Sequence, residues 1–181
     1  MGYTAADFAI RQVLMGNGVK STTKIEVYKE NMKFSAAHFT IFSATERERL
    51  HGHNFAVYAM IEAPVGENGM CFSYVELKDR LRALCHELDE YLVLPAHSPY
   101  LTIDDDDPYY RVRFAAETML FLKSDTLVLP IRNSTVEEYS RYLLSQLLAD
   151  AAFVATAGLA AVEIKVSSGP GQSGSATWVA A

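Results

Sequence analysis

The chain has 181 residues, a net charge of −6, and 50% hydrophobic against 21% charged residues. That length supports one sizeable core and falls short of two ordinary domains. The acidic balance excludes a general nucleic-acid binder, which would carry a basic face, and the two cysteines, Cys71 and Cys85, are too few for a disulfide scaffold or a Cys-rich zinc site.

No run of about 18 apolar residues occurs, so no membrane span is expected. The opening stretch MGYTAADFAIRQVLMG reads as neither a signal nor a transit peptide. Two scattered thiols suit a reducing compartment, and the expected location is the cytoplasm.

Residues 4–16 have the spacing of a short amphipathic helix ended by Gly16-Asn17-Gly18. Residues 1–23 are therefore read as an N-terminal extension and 24–181 as one domain. Lys24 to His38 reads as extended, with a slip near Glu30-Asn31 that is a bulge or a turn. Thr40 to Leu50 reads as a loop. His53 to Ala63 alternates Phe55, Val57, Ala59 and Ile61 with a second face, the period of a strand that pairs antiparallel with the first. Tyr74 to Tyr91 carries a helical stripe through Val75, Leu77, Leu81, Leu84, Cys85 and Leu88 at mixed three- and four-residue spacing. Leu92 to Asp107 reads as a long irregular connection containing a solvated acidic run, Asp104–Asp107. Tyr109–Phe114 and Thr126–Ile131 suit a small inserted hairpin. A second helix spans Thr135 to Ala149, opened by a capping box from Ser134 and Glu137 or from Thr135 and Glu138. Leu159–Ser167 and Ser173–Val179 flank Gly169-Pro170-Gly171 as a C-terminal hairpin. The order ββααββ predicts an α+β domain, an antiparallel four-stranded sheet with two helices on one face.

The strongest chemical signal is His51-Gly52-His53. On a strand, residues two apart point to one face with Cα atoms roughly 6–7 Å apart. Two imidazoles there can share a metal, and His38, at the end of the preceding strand, offers a third. Three imidazoles with an open fourth position make a catalytic zinc site. An isolated His-x-His on a strand carries no such implication, so the upstream His38 matters.

Phe34-Ser35-Ala36-Ala37-His38, followed by Leu50-His51-Gly52-His53-Asn54-Phe55, resembles the signature of the 6-pyruvoyl- and 6-carboxytetrahydropterin synthases. Phe72-Ser73-Tyr74-Val75-Glu76-Leu77-Lys78, Leu88-Asp89 and Asn133-Ser134-Thr135-Val136-Glu137 resemble further segments of that family in the same order, so the resemblance runs from about Lys24 to Trp178. It implies a tunnelling fold, a hexamer built as a dimer of trimers, and zinc held by His38, His51 and His53. It also implies a pterin substrate, 7,8-dihydroneopterin triphosphate or a relative.

The departures from the pattern are chemical. Where the family usually has a cysteine base, four residues before the first His of His-Gly-His, this chain has Arg47. A variant branch uses a glutamate three residues before that His, and Glu48 stands there; it could also be one charge in the solvated run Glu46–Arg49. A carboxylate serves as base if desolvation raises its pKa or if a metal acidifies the proton it takes. The family's Asp-His dyad becomes Asp89-Glu90, with His86 one helical turn earlier as a stand-in or an ordinary exposed histidine. Thr135 and Glu137 match part of the pterin pocket. Ser167 and Ser168 occupy the places of acidic residues that would pair with the ring, and a serine cannot replace a bidentate carboxylate. Three functions are open at this point: a pterin synthase, an enzyme of the same scaffold with another substrate, and an inactive zinc-binding paralogue.

Overall fold

The computed structural model describes residues 22–181; the expected helix over 4–16 lies outside them. The chain begins with β1 (Thr22–Val27), β2 (Lys33–His38) and β3 (His51–Pro64). β3 has the strongest period-two pattern: Phe55, Val57, Ala59, Ile61 and Ala63 are buried and their neighbours half-exposed. β1 and β2 both pair antiparallel with the same edge of β3, β1 against Val27↔Ala59 to Thr22↔Pro64 and β2 against His38↔His51 to Lys33↔Ala56. The slip near Glu30-Asn31 is therefore a turn between two collinear strand segments. Met32 reseats the chain there, its carbonyl accepting from the Val57 amide at 2.8 Å.

α1 (Tyr74–Leu88) buries Leu77, Leu81, Cys85 and Leu88. α2 (Val136–Ala149) buries Val136, Tyr139, Leu143 and Leu147. β9 (Ala161–Gly169) pairs with β3, and β10 (Gln172–Val179) with β9, all antiparallel. Both helices share one core with Phe34, Phe55, Ile61, Val162 and Ile164, so they cover one face of these strands, as the ββααββ order requires. No helix among the described residues is long and apolar enough to cross a membrane.

Three features differ from the expectation. Leu92–Asp107 is not irregular: β4 (Tyr91–Pro95) and β5 (Leu101–Asp106) lie within it. Nor do Tyr109–Phe114 and Thr126–Ile131 pair with each other. β6 (Tyr109–Phe114) sits between β5 and β7 (Glu117–Leu122) in a three-stranded meander, while β8 (Thr126–Leu129) joins β4 in parallel. The main sheet thus continues past β2 through the parallel strands β4 and β8, in the order β10-β9-β3-β2-β4-β8. β4 is buried on both faces, Val93 against the helical core and Leu92 and Leu94 against the meander with Val112 and Phe114. A strand covered on both sides is a continuous apolar run without alternation, which hides it from period-two reading.

Asp105 and Asp107 of the acidic run are exposed and Asp104 and Asp106 half-buried, and all four are paired. Asp104 and Asp106 pair with Arg113 and Arg111, and Asp105 and Asp107 with Lys123. The third difference is a short α3 (Ala151–Ala157), capped by Asp150, whose Oδ1 accepts from the Phe153 amide at 2.9 Å, and stopped by Gly158 at φ 60°.

β10 meets α2 at a glycine. A Cβ on Gly174 would lie 3.0 Å from the Glu137 nitrogen and 3.1 Å from the Val136 carbonyl carbon, whereas one on Gly169 would meet nothing within 4 Å. Gly174→Ala should destabilise the protein by about 1–3 kcal/mol through overpacking. Gly169→Ala should stay within about 0.5 kcal/mol of the unmodified protein. Urea unfolding of the two variants side by side checks the difference.

Candidate metal centre and active site

The β2–β3 register puts His38 directly opposite His51, and Ala36 opposite His53. All three imidazoles emerge on the face that also carries Phe34 and Phe55, at the end of the helical core. Their ring centroids are 4.7 Å (His38–His51), 4.8 Å (His51–His53) and 5.3 Å (His38–His53) apart. One ligand atom from each falls within 4.8 Å of the other two, a cluster that can hold a metal ion.

Backbone carbonyls orient two of the rings. His38 Nδ1 donates to the Ser134 carbonyl at 2.8 Å, and His51 Nδ1 to the Arg49 carbonyl at 2.8 Å. A proton held on Nδ1 leaves the Nε2 lone pair for a ligand. His51 Nε2 and His53 Nε2 are 3.0 Å apart. Two nitrogens at zinc-binding distance on one tetrahedral ion would be roughly 3.3 Å apart. His38 Nε2 is buried and has no hydrogen-bond partner. A buried orphan nitrogen next to two convergent ones is what a cation would satisfy, so the residues present fit a metal. Burial, chiefly, pushes the His38 pKa below the ordinary imidazole value, against the opposing pull of the Ser134 carbonyl. The neutral ring that a metal needs is therefore the favoured form at neutral pH.

The Thr40–Leu50 loop brings Glu48 beside this cluster. Its Oε2 accepts from the Thr40 amide at 3.0 Å, and its own amide donates to the Thr40 carbonyl at 2.8 Å. Desolvation pushes its carboxyl pKa up, but the hydrogen bonds from Thr40 and the charges of His51 and His38 outweigh it, and the pKa lies below the usual carboxylate value. The net direction is opposite to the one that burial alone would give, because the Thr40 hydrogen bonds and the neighbouring imidazoles favour the ionised carboxylate. Arg47, in the cysteine's place, anchors the loop. Its guanidinium lies over the Phe39 and Phe114 rings, pairs with Glu117 on β7 and donates to the Glu48 carbonyl at 2.8 Å. Asn133 ties the other side, its side chain accepting from the Ile41 amide at 3.0 Å and donating to the Ile41 carbonyl at 2.8 Å.

The remaining residues stand apart from the triad. Asp89 is the C-cap of α1, and its Oδ1 accepts from the Ser35 amide at 2.7 Å. His86 is exposed on α1; it and Asp89 line a cavity with Glu90, Asp125 and Tyr142 that takes in none of the three histidines. Thr135 is the N-cap of α2 and accepts from the Glu138 amide. The capping box is only half made, because Glu138 reaches back to the Arg132 amide instead. Glu137 caps nothing; it is exposed in a groove with Arg141, Ser175 and Trp178. Ser167 Oγ is engaged inside its own hairpin, within 2.6 Å of the Gly169 carbonyl and 2.8 Å of that of Gln172. Ser168 is half-buried. From the residues alone, Asn133 and Ser134 mark only the start of a helix. The run Asn-Ser-Thr before a helix was the available signal, but it does not say that a backbone carbonyl will meet a histidine.

Three imidazoles on an antiparallel ββααββ scaffold define a tunnelling-fold protein with a candidate metal centre. A family model described as 6-pyruvoyl tetrahydropterin synthase matches residues 26–176, and the chain belongs to that family. It is an enzyme of the pterin-synthase type. Its structure is similar to that of 6-pyruvoyl tetrahydropterin synthase from Plasmodium vivax (TM-score 0.83, 28% identity, 88% of this chain and 99% of that one) and from Plasmodium falciparum (TM-score 0.83, 27% identity, 88% and 99%). Two further structures of the P. vivax enzyme have a glutamate described as a catalytic residue replaced by Cys or by Ala. A Methanocaldococcus jannaschii protein, provisionally described as a 6-carboxy-5,6,7,8-tetrahydropterin synthase, is 23% identical over 145 residues, 78% of this chain and 86% of that protein.

Neither cysteine has the environment of a base. Cys85 is in the core, its thiol pushed up to about 12 by burial and then by Asp89, and the Cys71 thiol donates to the Ala63 carbonyl. Cys85 should therefore resist thiol reagents at pH 8 in the folded protein and react after unfolding in guanidinium. Equal labelling of both thiols before unfolding would contradict this placement.

Proposed function

We propose that the chain is a zinc-dependent carbon–oxygen/carbon–carbon lyase, of the 6-pyruvoyl-/6-carboxytetrahydropterin synthase type, acting on 7,8-dihydroneopterin triphosphate or a related pterin. The observation that carries this reading is the convergence of His38, His51 and His53 on one point in a chain of this family. Three imidazoles and a free fourth position suit zinc. When bound, zinc would supply Lewis-acid polarisation of a substrate side-chain hydroxyl.

Glu48 is the base in this reading. The Thr40 amide holds Oε2, which leaves Oε1 to take the substrate proton. Its lowered pKa keeps it ionised at neutral pH, so it is always in the accepting form, though intrinsically weak. The catalytic glutamate of the P. vivax enzyme supports a carboxylate in this role. Thr135, Glu137, Asp89 and His86 belong to the substrate and proton-transfer side. Asp89, His86 and Glu137 line cavities that take in none of the three histidines, and in this reading they act at a site completed by a neighbouring subunit. That accords with a hexamer of two stacked trimers, in which the terminal strands β10 and β8 are the edges left to pair. The activity is assigned to residues 24–181 and to a cytoplasmic setting.

One observation favours a second reading. Ser167 spends its hydroxyl inside the β9–β10 turn and offers nothing equivalent to a ring-binding carboxylate. An enzyme with the same centre and a non-pterin substrate would need none.

Protein purified without added metal should contain about one zinc per chain, and His51→Ala should lose it. Glu48→Gln should abolish turnover of dihydroneopterin triphosphate while zinc stays bound. Undiminished turnover would remove Glu48 from the chemistry, and absence of both turnover and pterin binding by fluorescence would favour the second reading.

A further inference from the structure

Four polar or charged residues are buried among the described residues: His38, Thr126, Ser134 and Ser140. Two of them, His38 and Ser134, are bonded to each other, although they are 96 positions apart in the chain. Ser134 is completely buried and uses every polar group it has. Its carbonyl accepts from His38 Nδ1 at 2.8 Å, its amide donates to Asn133 Oδ1 at 3.0 Å, and its Oγ donates to the Val93 carbonyl at 3.1 Å.

Val93 lies on β4, the parallel neighbour of β2, the strand from which His38 projects. The Oγ–Val93 bond therefore fixes the Ser134 carbonyl relative to the same sheet that carries the histidine. Asn133, clamped to both backbone groups of Ile41, holds the segment from the side of the loop that follows His38. The carbonyl selects the His38 tautomer and aims its unpartnered Nε2 at His51 and His53.

We propose that Ser134 is a positioning residue for the metal centre, its hydroxyl anchoring to β4 the carbonyl that orients His38. This rests on the metal-binding reading above. The Ser134 hydroxyl makes this anchor while completely buried. Alanine keeps the carbonyl but frees it from Val93, and leaves that carbonyl without its donor.

The test is cobalt(II) and zinc affinity, measured by chelator competition on the full chain, with the cobalt absorption spectrum as a report of ligand geometry. Ser134→Ala keeps the carbonyl but loosens it, so it should bind either metal about 10-fold more weakly, the lower end of the effect of losing the partner behind a ligating histidine, with an altered cobalt spectrum. Leu147→Ala, at the far end of α2 and equally buried in the core, should lower the Tm but leave the metal affinity within about twofold. Unchanged affinity in Ser134→Ala would overturn the proposal, as would an equal loss in Leu147→Ala, which would make the effect one of general stability. No metal binding by the unmodified protein would sink the underlying reading, and this proposal with it.

Discussion

The site depends on the register between β2 and β3. His38 faces His51 across the ladder, and His53 follows two residues on, so three imidazoles share one sheet face. Because strand side chains alternate, a slip of one residue would send one partner's histidine to the opposite face and leave Phe34 and Phe55 without their stacked contact at 5.0 Å. The same alternation that buries the core against α1 and α2 therefore assembles the centre. Core and chemistry are specified by one pairing.

Around this pairing, the fold spends its polar groups on holding the loops still. Arg47 ties the Thr40–Leu50 loop to the meander, Asn133 ties it to the start of α2, and the Thr40 amide holds Glu48. The meander is thus more than an ornament on the domain: it covers the second face of β4 and supplies Glu117 to Arg47. Arg47 at the position of the usual cysteine is a structural clamp, its guanidinium engaged by Phe39, Phe114, Glu117 and the Glu48 carbonyl.

Much of this was legible in the residues. His51-Gly52-His53 on a strand, with His38 closing the preceding one, carries the period of two that puts imidazoles together, and the paired strands around two helices gave the α+β order. β4 was not legible, because a strand buried on both faces loses the alternation that marks a strand, and Pro95, Pro99 and Pro108 disguised the stretch as a loop; β8 was legible as a strand, but its parallel partner was not. α3 has only seven residues between Asp150 and Gly158, too few for a helical stripe. The contact of His38 with Ser134 depends on a backbone carbonyl, which every residue possesses and no sequence pattern advertises, and the pKa direction of Glu48 depends on how the loop folds Thr40 and the histidines around it.

The most direct test of the central claim is zinc K-edge X-ray absorption on the purified protein. Three imidazole nitrogens at about 2.0–2.1 Å and one further light atom would fit a centre made by His38, His51 and His53. A sulfur scatterer at about 2.3 Å, or fewer than three imidazoles, would contradict it.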